Sequence, residues 1–161
     1  MKHLLIAIVL TALVSGCGFH PRGVSTLPDD VRVLYLEAPS SLHDELTVHL
    51  LDAGATLVEN RADAELVLTI PNEHFDSRTL SVDPDTGKER EFELTYEVAF
   101  HARRAGGDVV LKLQTLTLLR DYVFDEDRVI GKSRERGTLQ EEMRRDAAQQ
   151  ILTRLNHALE G

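Results

Sequence analysis

A chain of 161 residues with 27 acidic against 18 basic side chains, net −9 at neutral pH, has the wrong overall field for a nucleic-acid partner. With no tryptophan and aromatic residues at 5%, it also lacks the stacking surface of a carbohydrate platform or a base-binding groove. No repeat, heptad array or low-complexity linker is visible, and the length suits one hydrophobic core.

The first segment reads as a targeting signal. Lys2 supplies a positive start, and Leu4 to Val14 form an apolar run too short to span a bilayer. Ser15 and Gly16 then abut Cys17, the only cysteine. This is the pattern of a bacterial lipoprotein signal, whose processing acylates the thiol, cleaves before the cysteine and acylates the new amino terminus. Residues 1–16 are therefore expected as signal peptide, 17–28 as an acylated tether and 29–161 as a single domain. Each buried methylene contributes about 0.8 kcal/mol, so two or three acyl chains hold a protein on a membrane for good. Gly18 stands where inner-membrane lipoproteins usually carry Asp, and the sorting rule of that class then expects a lipid-anchored protein of the outer membrane. With its thiol acylated, the mature chain has no disulfide to stabilise it.

Beyond the tether, the hydrophobic period changes from 2 to 3.6 and back. Val31 to Leu36 predicts a buried first strand. Ser41-Leu42-His43-Asp44 resembles a capping box, and from it a helix is expected with Leu42, Leu46, Leu50 and Ala53 on one face, stopped by Gly54. Glu65 to Ile70 alternates and continues past Pro71 toward Val82, the proline implying an edge position or a bulge. Glu91 to Arg103 is the clearest strand: Phe92, Leu94, Tyr96, Val98, Phe100 and Ala102 share a core face, opposite Glu91, Glu93, Thr95, Glu97, His101 and Arg103. Turn-forming residues flank it, Asp83-Pro84-Asp85-Thr86-Gly87 before and Ala105-Gly106-Gly107-Asp108 after. The next strand, Val109 to Phe124, starts with Val109, Leu111 and Leu113 on one face and continues with Leu116, Leu118 and Tyr122 on the other, which requires a bulge near Gln114 or Thr115. A long helix closes the chain with the stripe Leu139, Met143, Ala147, Ile151, Leu155 and Leu159; Thr138-Leu139-Gln140-Glu141 offers a capping box, and an earlier start lies near Ser133. The expected fold is α+β, a two-layer sandwich in which two helices cover one face of a four-stranded mixed sheet.

Catalytic chemistry finds no purchase in this sequence. It contains no Gly-x-Ser-x-Gly elbow, His-Glu-x-x-His pair, P-loop or dinucleotide fingerprint, so no catalytic residue or cofactor is expected. His20, His43, His49, His74, His101 and His157 lack metal-ligand spacing, and His43 and His49 point to different sides of one helix. Asp83-x-Asp85-x-Gly87 places its glycine one position early for a calcium loop and lacks the closing Glu, so turn chemistry accounts for it. Asp125-Glu126-Asp127 has the carboxylates to hold a divalent ion, and a solvated loop is the favoured reading.

Cys17-Gly18-Phe19-His20-Pro21-Arg22-Gly23, set directly on the lipobox, resembles the mature amino terminus of the lipopolysaccharide-assembly lipoproteins of the LptE family. Leu119-Arg120-Asp121-Tyr122, Lys132, Glu141, Ala147, Ala148 and Leu155 are similar to that family's last strand, connecting loop and final helix. The resemblance implies a non-enzymatic protein that plugs the outer-membrane β-barrel LptD, supports its assembly and binds lipopolysaccharide for delivery to the outer leaflet. Phe19 and Pro21 then become candidates to dock the tether. A compact domain with a wet sheet face suits a polar barrel lumen. An envelope lipoprotein serving another outer-membrane or cell-wall assembly machine is the alternative, and a co-purifying partner discriminates the two.

The implied cargo carries phosphates and acidic sugars, which need Lys or Arg as partners. Lys88 and Arg90, extended by Arg78, form one basic group; Arg128, Lys132, Arg134 and Arg136 form a second. Lys88, Arg90, Lys132 and Arg78 are the lipopolysaccharide-binding candidates. Antiparallel strand order would bring the two groups to one edge of the sheet. The plainer alternative is a solvated surface interleaved with Asp85, Glu89, Asp127 and Glu135.

Overall fold

The structure, a computed structural model, describes residues 27–28, 31–123 and 132–160, and only the backbone of 132–135. Cys17, Phe19, Pro21, Asp125 to Asp127 and Arg128 lie outside the described residues. The elements are β1 (Val33–Glu37), α1 (Ser40–Asp52), β2 (Thr56–Leu57), a 3-10 turn (Arg61–Asp63), β3 (Leu66–Val82), β4 (Glu89–Arg104), β5 (Val109–Val123) and α2 (Lys132–Glu160). The sheet runs β2-β1-β3-β4-β5, with β1 parallel to both neighbours and β3, β4 and β5 antiparallel. It is mixed, as expected, but has five strands. The fifth is β2, two residues long, where Thr56 donates to the Arg32 carbonyl at 2.7 Å and Val58 to that of Leu34 at 3.0 Å. Two residues carry no periodicity, so no sequence pattern marks such a strand.

Helix α1 buries Leu42, Leu46 and Leu50, followed by Ala53. The expected capping box is absent: Pro39 is the N-cap, no side chain caps the first turn, and Ser41 already lies inside the helix. At the other end Ala55 N–H donates to the Leu50 carbonyl at 2.9 Å and Gly54 N–H to that of Leu51 at 3.0 Å, with Gly54 at φ 87°. These two bonds make a Schellman motif, and its left-handed residue is the expected glycine.

Pro71 coincides with a register break between Thr69 and Asn72, where β1 has already ended opposite Thr69. Proline is tolerated here because the strand is at once bulged and newly an edge. The bulge also moves the core face from even to odd positions, so Glu73 and Phe75 point toward the helices. On β4 the expected face holds, with Leu94, Tyr96, Val98, Phe100 and Ala102 fully buried. In β5 the bulge falls earlier than expected: Phe100 opposes Gln114 while Ala102 opposes Leu111, so the extra residue lies at Lys112-Leu113. A second break follows between Leu111 and Val109. Val109 and Leu113 are consequently exposed, and of the three expected together only Leu111 reaches the core.

The closing helix starts at Lys132 and runs through Gly137 and Thr138, so Thr138 caps nothing. Tertiary packing outweighs the roughly 1 kcal/mol penalty of an internal glycine. Met143, Ala147, Ala148, Ile151, Leu152 and Leu155 lie against the sheet and α1. Polar bonds fix its pose: Arg120 to Asp146 at 2.6 Å, Arg154 to Gln114 at 2.8 Å and Arg144 to Glu73 at 2.7 Å. Both helices cover one face, and the other face of β3–β5 carries Asp76, Arg78, Glu93, Thr95, Glu97, Thr117 and Asp121.

Candidate functional site

The β3–β4 connection is built by one side chain. Asp83 Oδ1 accepts from the backbone N–H groups of Asp85 (3.0 Å) and Thr86 (2.9 Å) and from the Thr86 hydroxyl (3.0 Å). Asp83 N–H donates to the Lys88 carbonyl at 2.6 Å, and Gly87, at φ 72°, donates to the Asp83 carbonyl at 2.8 Å. The bonds from Thr86, then that from Asp85 and the charge of Arg90, hold the Asp83 carboxyl below the usual aspartate range. The three donors occupy Oδ1, and Oδ2 faces the Arg90 guanidinium at 3.6 Å. Among the described residues, no group of three or more His, Cys, Asp or Glu is arranged to hold a metal.

The basic candidates distribute around this turn. Lys88 closes it. Arg90 is the extra residue of a bulge, since Ser81 opposes Glu91 and Val82 opposes Glu89, and its guanidinium lies 3.6 Å from Asp83. Arg78 belongs to the open sheet face further along, where it donates to Glu93 at 2.6 Å. Hydrogen bonding to Glu93 and that carboxylate's charge, with a contribution from Asp121, raise its pKa further. Glu91 pairs with Val123, which brings the end of β5 beside the start of β4. Leu139 of α2 packs near Tyr122, so the two turns of helix before it lead back toward the same end of the sheet. Lys132 heads that helix, and its side chain is outside the described residues.

Beside the turn lies a cavity of about 480 Å³ lined by Leu80, Glu91, Asp121, Tyr122, Val123 and Leu139. Tyr122 stacks on Phe92 with ring centroids 5.3 Å apart. Leu80, Val82 and Val123 are exposed there, an apolar rim next to a basic turn. Sequence reasoning missed it because Leu80 is itself a bulge residue, out of phase with either face.

A second cluster was also missed. Glu73, with a side chain only 7% exposed, accepts from Arg144 Nε (2.7 Å), from the Tyr96 hydroxyl (3.2 Å) and from the Ser41 hydroxyl. Phe75 stacks on Tyr96 at 4.2 Å, and the Arg144 guanidinium lies 4.9 Å from the Phe75 ring centre. Burial first, and then the Glu73 charge, push the Tyr96 hydroxyl well above the ordinary tyrosine range. The cluster ties α1, β3, β4 and α2 together through side chains from all four elements.

The LptE (lipopolysaccharide-assembly) family model matches residues 30–155. The LPS-assembly lipoprotein LptE of Pectobacterium atrosepticum is 26% identical over 164 residues, covering 96% of this chain and 86% of its own length. Among solved structures, uncharacterized lipoprotein B from Nitrosomonas europaea superposes with a TM-score of 0.69 at 31% identity, over 84% of this chain and 88% of that one. Rare lipoprotein B from Shewanella oneidensis gives 0.66 at 29% identity, over 76% and 92%.

Proposed function

Because this chain belongs to the LptE lipopolysaccharide-assembly family, we propose that it is a non-enzymatic lipoprotein, held at the outer membrane by acylated Cys17, that plugs the LptD β-barrel, supports its assembly and binds lipopolysaccharide. It faces the periplasm and the barrel lumen. The observation that carries the lipopolysaccharide reading is the pairing of a basic turn with an adjacent cavity in which four apolar residues stand beside Glu91 and Asp121. Lys88 and Arg90 supply cations at the turn and Arg90 is bulged outward, while Leu80, Tyr122, Val123 and Leu139 offer apolar wall. A glycolipid presents phosphates next to acyl chains, and this surface answers both. Lys132 joins the cationic group from the start of α2, where the helix dipole also favours an anion. Arg78, already held by Glu93, contributes least of the four.

The polar open face of β3–β5 supports the plug. It presents charged and hydroxyl side chains, with Leu119 and Val123 exposed among them, and so suits a lumen lined mainly by polar residues.

Replacing Lys88, Arg90 and Lys132 together with Glu should weaken lipopolysaccharide binding beyond simple charge loss, since each substitution adds repulsion. Wild-type and variant proteins are compared for lipopolysaccharide binding at low and moderate salt, with barrel co-purification as the folding control. Unchanged binding would eliminate the patch. A soluble or wall-bound partner in place of a large β-barrel would favour the other assembly machine.

A further inference from the structure

At the opposite end of the sheet, a second cavity of about 460 Å³ is lined by Arg61, Ala62, Val67, Arg103, Arg104, Ala105 and Gly107. The 3-10 turn carries Arg61 to it, the end of β4 carries Arg103 and Arg104, and the β4–β5 turn closes it. None of the described residues lining it is acidic. Arg61 also approaches Glu37 at 3.6 Å, but both side chains are more than half exposed, so water screens that pair. A Cβ added at Gly107 would meet nothing within 4 Å, which leaves the mouth open.

The place of this cavity in the fold narrows its ligand. Leu57, Leu34, Leu66 and Arg104 form one row across the sheet, so the chain enters the domain at the same end, two strands or about 10 Å from Arg104. Leu27 is ten residues after Cys17, a reach of at most about 35 Å, so on the lipoprotein reading this end faces the membrane. The guanidinium groups of Arg61 and Arg103, two of the lining residues, can donate to the oxygens of a phosphate diester, and Ala62, Val67 and Ala105 suit the glycerol beneath it. We propose that this cavity binds the phosphate head group of an anionic glycerophospholipid of the membrane to which the chain is tethered.

The test uses the mature chain from residue 17 carrying Cys17→Ser and made without residues 1–16, so that neither an acyl chain nor the apolar signal segment holds it to the vesicle. It is sedimented with vesicles of phosphatidylcholine alone or mixed with phosphatidylglycerol. Retention by the mixed vesicles is expected, and Arg61→Glu/Arg103→Glu should lower the partition coefficient about tenfold or more. The same charge change elsewhere on the surface, Arg120→Glu/Arg145→Glu, should lower it far less. Thermal melts check that the variants are folded; if the reversals unfold the chain, Arg61→Gln/Arg103→Gln carries the same test with a smaller loss. Equal retention by both vesicle types, or by the cavity variant, would overturn the proposal. Displacement by inorganic phosphate at the same phosphorus concentration would assign the cavity to the free anion and overturn the lipid source.

Discussion

Asp83 and Glu73 are both acidic residues of the β3–β4 arm, and they call for different tests. The Asp83 carboxyl is held below its ordinary pKa of 3.8 by the donors of its own turn. A depressed carboxyl stabilises the fold above its unfolded pKa, and that contribution is lost as pH falls through the folded value. Asp83→Ala should therefore lower the thermal midpoint at neutral pH, and the difference from wild type should shrink below about pH 3.8. Melts at neutral and acid pH check this; a constant difference would show that the carboxylate is not the active species. Glu73 is buried, so its removal leaves Arg144 and the Tyr96 hydroxyl without their partner. Glu73→Leu should cost about 3 kcal/mol in denaturant unfolding, while Glu73→Leu/Arg144→Met should recover much of that loss. An additive double variant would mean that the pair is not coupled.

At the scale of elements, Phe100 of β4 and Ile151 of α2 are fully buried at the same interface. Phe100→Ala and Ile151→Ala should each cost about 2 to 5 kcal/mol, since each leaves a cavity. Thr95→Ala, on the open face, should cost much less, and similar losses for all three in urea unfolding would contradict the face assignment. That face was legible in the sequence because β4 is regular over its whole core span. Where the backbone departs from regularity, the reading fails at the same point: Lys112-Leu113 and Leu80 are bulges that shift phase, and β2 is too short to have a phase. Thr138 and Ser41 look like caps but lie inside helices, because packing of Leu42 and Met143 sets the helix ends and local hydrogen bonding does not. For the candidate site, the turn and its cations were visible as Asp-x-Asp-x-Gly and Lys88-x-Arg90. The cavities were not, because each forms from segments distant in sequence.

For the whole molecule, the described chain joins the core at once: Leu27 is buried and donates its N–H to the Ala53 carbonyl at 3.0 Å. Cys17 precedes every described element, so Cys17→Ser should abolish lipid attachment while leaving the thermal midpoint unchanged. Labelled palmitate incorporation and a melt measure the two arms, and persistent labelling would overturn the assignment of that cysteine. The bond from Arg144 to Glu73 spans 71 residues of sequence, and β1 finds both its parallel neighbours only after α1 and the turn beyond it are made. Contacts of such separation slow folding, because loops must close before any contact rewards them. Until α2 docks, Leu94, Tyr96, Val98, Phe100 and Leu116 face water on a meander with two open edges. Refolding should therefore show a slow phase whose yield falls as protein concentration rises, and a holding chaperone added before the last helix docks should restore it.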